Sequence, residues 1–133
     1  MNKLVVSGLA AVLCSVIAVG AAAADAKCEN VKIKVTNKYV KNGDNKDIKV
    51  VDMEYWDAED GKWRDEATTD DQIGWGDSRT WTKNLEYVGG ESGVKIKLHY
   101  KYNEGGTSWS NTLYLTSSAF QCVDNATVTV TVQ

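Results

Sequence analysis

Hydrophobic and polar residues alternate along most of the chain after residue 30, which is the pattern of β-strands with one buried and one exposed face. The clearest run is residues 94–102, where apolar or aromatic residues alternate with Lys or His without a break. Residues 31–35 and 127–132 alternate in the same way, with Lys or Thr at the polar positions. We therefore predict three strands whose apolar residues face a common core.

Four further segments are rich in Val, Trp, Tyr and Thr, the residues that favour strands. Clusters of Gly, Asn and Asp lie between most of the segments, and these residues make tight turns. Seven strands in all predict an all-β fold, a single antiparallel β-sandwich of the immunoglobulin-like or C2-like topology class. The four additional strands are predicted at residues 48–56, 62–65, 79–88 and 109–116.

The first 24 residues have the pattern of an export signal rather than of a folded element. Lys3 precedes an apolar run at residues 4–19, and the small residues at 20–24 provide the site that a signal peptidase requires. The run is too short and too rich in Ala and Gly for a membrane-spanning helix. We predict that residues 1–24 are a cleaved signal peptide, that residues 25–133 are one β-sandwich domain without a transmembrane segment, and that the protein is secreted or periplasmic.

Two cysteines remain after such a signal is removed, and they lie near opposite ends of the domain. An oxidising compartment favours a disulfide between Cys28 and Cys122. The two cysteines precede the first and the seventh predicted strands. If every connection reverses the chain direction, odd-numbered strands run the same way, and both cysteines therefore lie at the same end of the sandwich. The same reasoning places three loops together at the opposite end, at residues 39–47, 67–78 and 103–108.

The chain is short of the groups that catalysis requires. His99 is its only histidine, and it lies between Lys97 and Lys101 on the polar side of a predicted strand. Acidic residues are dense between 52 and 77, but a small sandwich has little room for the cleft that paired-carboxylate hydrolysis needs. A net charge of −3 is unfavourable for nucleic-acid binding. We predict that the protein is not an enzyme and does not bind nucleic acid, and we assign no catalytic residue.

Tryptophan and tyrosine provide the best indication of a binding site. The chain has five Trp and six Tyr but one Phe, and Trp and Tyr combine a flat apolar face with a polar group. Trp75 lies between two glycines in the 67–78 loop, and Trp109 and Tyr39 border the other two loops. With Asp77 they form the predicted site, in which aromatic rings stack on a sugar and a carboxylate accepts from its hydroxyls. In the alternative, Trp75 folds back as a plug over the open end of the sandwich.

Carboxylates in the same loops support a second hypothesis, a calcium site. Oxygen ligands from separate loops at one end of a sandwich can converge on a hard cation. No other cofactor is expected. The candidate ligands are Asp44, Asp47, Asp70 and Asp71.

The combined prediction is a monomeric, exported, non-catalytic binding module that takes carbohydrate at its aromatic and acidic loop end. Two alternatives stay open. The same end could recognise a protein at the cell envelope, as an inhibitor or an interaction partner, with Trp75 as the central contact. Trp75 could instead insert at a lipid surface while rows of lysine meet anionic headgroups, as in a membrane-active or toxin-like protein.

Overall fold

The chain folds into two main β-sheets that pack against each other around a buried core. This architecture comes from a computed structural model that describes residues 26–133, and the predicted signal peptide lies outside the described residues. The β-sandwich predicted from alternation is confirmed. Within residues 26–133 there is no helix with the length and apolar character needed to span a bilayer.

The smaller sheet has three strands. They are β1 (Cys28–Asn37), β7 (Ser78–Leu85) and β11 (Thr127–Val132). Central β1 pairs antiparallel with β7 and parallel with β11. The parallel pair departs from the all-antiparallel sandwich that we predicted. It arises because the first and last strands, which run in the same direction, are neighbours in one sheet.

The larger sheet has six strands. They are β4 (Ile48–Asp57), β5 (Lys62–Glu66), β6 (Asp71–Ile73), β8 (Ile96–Gly105), β9 (Ser108–Trp109) and β10 (Leu113–Thr116). The main order is β10–β8–β4–β5, with β6 also pairing with β4 and β9 with β8. A small hairpin of β2 (Val40–Lys41) and β3 (Asp44–Asn45) lies between β1 and β4.

All seven predicted strands are present, but the one predicted at 109–116 is divided. The division falls at Ser110, whose hydroxyl accepts a hydrogen bond from the Tyr102 N–H at 3.0 Å and donates one to the Asn111 carbonyl at 2.8 Å. The buried Ser110 hydroxyl therefore takes the Tyr102 N–H where β9 ends, while the Ser110 N–H still donates to the Tyr102 carbonyl at 2.9 Å. The three short strands β2, β3 and β6 were not predicted.

The core is built from alternate residues of the long strands. In β4 the alternation changes phase, since Ile48 and Val50 are buried before a β-bulge at Val50/Asp52, and Met53 and Tyr55 are buried after it. The bulge inserts one extra residue and so keeps the apolar side chains on the core face. The other strands contribute Val31, Ile33 and Val35 from β1, Ile96, Leu98 and Tyr100 from β8, and Val128, Val130 and Val132 from β11.

The predicted disulfide joins the two cysteines at one end of this core. Cys28 and Cys122 are bonded, with their Cα atoms 5.7 Å apart. Cys28 begins β1 and Cys122 precedes β11, and the parallel pairing of these strands brings the two positions together. Both residues are buried. The disulfide predicted from an oxidising compartment, and compatible with the predicted strand directions, is confirmed.

Candidate functional site

The three loops predicted to cluster do meet, at the end of β1 away from the disulfide. The Asn103 N–H donates to the Asp47 carbonyl at 2.9 Å, which joins the third loop to the first. The Asp47 carboxylate accepts from Gln72 Nε2 at 3.1 Å and from the Trp75 N–H at 3.2 Å, which joins the first loop to the second. Asp47 therefore connects all three loops.

An open polar groove of about 490 Å³ lies between these loops. We call it the loop-end groove, and its polar lining consists of Asn45, Lys46, Asp47, Gln72 and Asn103. Backbone of the 105–106 turn completes the lining. The residues that line this space thus include three with side-chain amides, one with a carboxylate and one with an ammonium group. Such a set can both donate to and accept from hydroxyl groups.

A buried asparagine holds two of the loops in place. Asn37, the last residue of β1, is fully buried. Its Nδ2 donates to the carbonyls of Lys46 at 2.8 Å and Ile73 at 2.9 Å, and its Oδ1 accepts from the Tyr39 N–H at 2.9 Å. Asn37 was missed in the sequence. The signal that marks it is its position two residues after Val35, where the alternation of β1 calls for an apolar residue.

Trp75 is displayed on a tight turn fixed by backbone hydrogen bonds. The Gly76 N–H donates to the Asn37 carbonyl at 2.8 Å, and the Asp77 N–H donates to the Gly74 carbonyl at 3.0 Å. Gly76 has a φ of +91°, which favours glycine, and a Cβ on Gly74 would lie 2.8 Å from Asp77 Oδ2. The turn therefore requires glycine at Gly76, whereas a side chain at Gly74 would have to displace the exposed carboxylate of Asp77.

Tyr39, rather than Trp75, covers the end of the core. Trp75 lies outside the core cluster and is 41% exposed, with Lys38 Nζ 4.8 Å from its ring centre. Tyr39 stacks on Tyr102 with ring centres 5.0 Å apart and meets Tyr100 edge-on at 6.1 Å. The structure therefore gives the plug role to Tyr39 and leaves Trp75 accessible.

Trp109 lies beside the groove on a different strand from Trp75. It pairs in register with the groove residue Asn103, and Lys49 Nζ lies 4.9 Å from its ring centre. Lys49 in turn pairs with the groove residue Gln72 across β4 and β6. Trp75 and Trp109 therefore each neighbour a residue that lines the groove, and Trp109 is the more buried of the two.

The four carboxylates of the calcium hypothesis have separate partners. The Asp47 carboxylate accepts hydrogen bonds from Gln72 and Trp75, as described above. The other three form ion pairs with different cations, namely Asp44 with Lys46 at 3.7 Å, Asp70 with Lys49 at 3.7 Å and Asp71 with Arg79 at 3.1 Å. Within residues 26–133, no three side chains of His, Cys, Asp or Glu form a group that could hold a metal ion. The calcium site stays a prediction.

The only histidine belongs to a charged and aromatic cluster on the outer face of the larger sheet. Glu54 accepts from His99 Nε2 at 2.6 Å and from Lys97 Nζ at 2.7 Å. Burial acts to raise the pKa of Glu54, but the two hydrogen bonds outweigh it and lower the pKa below its ordinary value. His99 also meets Tyr114 edge-on at 4.7 Å, and Lys97 Nζ lies 4.0 Å from the Trp63 ring centre. These contacts connect the four main strands of the sheet.

Glu91, another carboxyl group with a shifted pKa, lies away from the groove in the segment next to the disulfide. Glu91 Oε2 accepts from the Ala58 N–H at 2.9 Å, whereas its Oε1 is buried and has no hydrogen-bond partner within the described part of the chain. Burial raises the pKa of Glu91, and the nearby carboxylate of Asp57 raises it further. Glu91 therefore carries its charge at an energetic cost.

Known proteins give no independent guide to these sites. Comparison with protein-family models, with curated proteins and with solved structures found no match. What the loop-end groove binds therefore has to be argued from its own lining groups and from the exposure of Trp75.

Proposed function

We propose that this chain is an exported, non-catalytic binding module that takes carbohydrate in the loop-end groove. The observation that carries the proposal is the placement of the exposed Trp75 next to a groove lined by amides, with Asp47 shared between them. A sugar presents an apolar ring face and a rim of hydroxyl groups. An exposed indole suits the first, and amide and carboxylate groups suit the second.

The rigidity of this end favours binding. Asn37 and Asp47 fix the loops through hydrogen bonds that are already made before any ligand arrives. Ordering of loops and side chains is one of the main costs of association, and a preorganised site avoids much of it. The buried Asn37 and the Asp47 carboxylate thus hold the backbone of Trp75 and the side-chain amide of Gln72 in place.

The disulfide supports the proposal that the protein is exported, and export in turn indicates which ligands the protein can meet. Bonds such as Cys28–Cys122 persist in oxidising compartments and are rare in the cytosol. Polysaccharides of the cell envelope are among the ligands that an exported protein can reach. We therefore take these polysaccharides as the ligand class to test.

The test is a calorimetric and fluorescence titration of the oxidised protein with envelope polysaccharides, with and without calcium. We expect saturable binding that weakens about tenfold or more in Trp75→Ala, because truncating an aromatic residue that is the central contact of a binding site costs about 2 kcal/mol or more. Tyr114→Ala is the matched control, since Tyr114 is 64% exposed but lies on β10 and outside the groove.

The outcomes separate the candidate functions. Equal binding by wild type and Trp75→Ala would move the site away from the loop end. No binding of any polysaccharide by the folded protein would reject the carbohydrate proposal and favour recognition of a protein partner. Binding that requires calcium would assign a role to the loop carboxylates.

A further inference from the structure

β11 forms an open edge of the smaller sheet. It pairs with β1 on one side, and no other strand in the described part of the chain pairs with its opposite side. The Lys32 N–H donates to the Ala126 carbonyl at 2.8 Å, and the Lys38 N–H donates to the Val132 carbonyl at 2.7 Å. Alternate residues of a strand direct their backbone groups to opposite sides. The N–H and C=O groups of Thr127, Thr129 and Thr131 therefore point outward.

The side chains of β11 do not protect this edge. Edge strands are ordinarily blunted by charged residues, by proline or by shortness, which prevents pairing with other chains. The opposite edge strand β7 carries Arg79 and Lys83, β5 has four charged residues, and the uncharged β10 is four residues long. β11 is six residues of alternating Thr and Val, with neither charge nor proline. It is the longest edge without protection.

We propose that β11 is a self-association surface on which a second copy of this chain places its own β11 antiparallel, joining two smaller sheets into one continuous sheet. A two-fold axis through Thr129 satisfies this arrangement. Thr127 then faces Thr131 of the partner subunit, and each facing pair of threonines exchanges two backbone hydrogen bonds.

The side-chain pattern fits a second copy better than an arbitrary strand. With the axis at Thr129, threonine lies beside threonine on the exposed face, and Val128 lies beside Val130 of the partner subunit on the core face. Such cross-strand pairs stabilise a sheet, and no like charges oppose each other within the two strands. The proposal departs from the monomer expected from the sequence, because strand order decides which strand is an edge.

The experiment compares two threonines that have the same local environment on opposite edges. Thr129 on β11 and Thr80 on β7 are both exposed, and both lie directly opposite Lys34 of β1. Thr129→Lys and Thr129→Glu each place two like charges across the proposed axis, whereas Thr80→Lys adds the same charge beside Lys34 away from the axis. Sedimentation velocity over a concentration series measures the mass of the oxidised protein, and circular dichroism checks that each variant is folded.

We expect wild type and Thr80→Lys to form dimers as concentration rises. Thr129→Lys and Thr129→Glu should each weaken the dimer by up to about fivefold, and an equimolar mixture of the two should regain it because opposite charges then face each other. The proposal would be overturned by a wild type that stays monomeric up to about 1 mM. A dimer that is as stable in Thr129→Lys as in wild type would also overturn it, as would a mixture of the two variants that forms no dimer. Because the Thr129→Glu and Thr129→Lys mixture restores pairing only in folded chains, its recovery excludes misfolding as the cause.

Discussion

Replacing Asn37 with alanine removes the side chain that ties two loops to the end of β1. Three hydrogen bonds are lost, two donated to the carbonyls of Lys46 and Ile73 and one accepted from the Tyr39 N–H. At about 1 kcal/mol each, they contribute roughly 3 kcal/mol. Ile73 is only 3% exposed, so water cannot readily replace the lost donor, and its unpaired carbonyl adds about 1 kcal/mol or more. We expect Asn37→Ala to lower the free energy of unfolding by about 4 kcal/mol.

The assay is urea unfolding of the oxidised protein, followed in parallel by far-ultraviolet circular dichroism and tryptophan emission. A loss of this size is a large part of the roughly 5–15 kcal/mol that stabilises a typical domain. The matched control is Asn111→Ala, an exposed asparagine whose replacement should change the stability by no more than about 0.5 kcal/mol. A loss below about 1 kcal/mol in Asn37→Ala would refute the reasoning, because it would mean that the loops hold their geometry without the buried amide.

Two further predictions concern the disulfide and the segment next to it. Replacing Cys28 and Cys122 with serine removes a cross-link between residues 94 positions apart in sequence. In the same unfolding assay, the free energy of unfolding should fall by about 4–5 kcal/mol. A fall of less than about 1 kcal/mol would contradict this prediction. Glu91→Gln removes a charge from a carboxyl group whose pKa is raised by burial. The folded wild type favours the protonated form, so it loses stability as pH rises from the ordinary carboxyl pKa near 4.3 through the raised one. The stability of Glu91→Gln relative to wild type should therefore increase across that interval, and a difference that decreases with rising pH would be inconsistent with the account.

The core strands were predictable because burial in a sheet follows a local rule. Every second residue is buried over residues 31–37 of β1, 96–100 of β8 and 128–132 of β11, and alternation in the sequence reports this directly. The bulge near Val50 and the break at Ser110 interrupt the rule. The break depends on hydrogen bonds that Ser110 makes with Tyr102 and Asn111, and the bulge depends on pairing with β8, which is distant in the sequence. The parallel neighbours β1 and β11 were not predicted for the same reason, since strand direction follows from the order of turns but strand order in the sheet does not.

The candidate site was predictable only in outline. The glycines beside Trp75 left both a displayed side chain and a plug open, whereas strand direction brought the correct three loops together. The hydrogen bonds that fix those loops come from Asn37 and Asp47, and a sequence shows at most that Asn37 is a polar residue at an apolar position. Tyr39 could not be distinguished from a ligand-binding ring, because its stacking on Tyr102 depends on the folded loop.

The most direct test of the loop-end site is an amide chemical-shift titration of isotope-labelled, oxidised protein with fragments of envelope polysaccharide. We expect saturable shifts at Asp47, Gln72 and Asn103 and at both the backbone and indole N–H of Trp75, with β11 and the outer face of the larger sheet unaffected. Shifts confined to the cluster around Glu54 and His99, or no shifts with any envelope polysaccharide, would contradict the account.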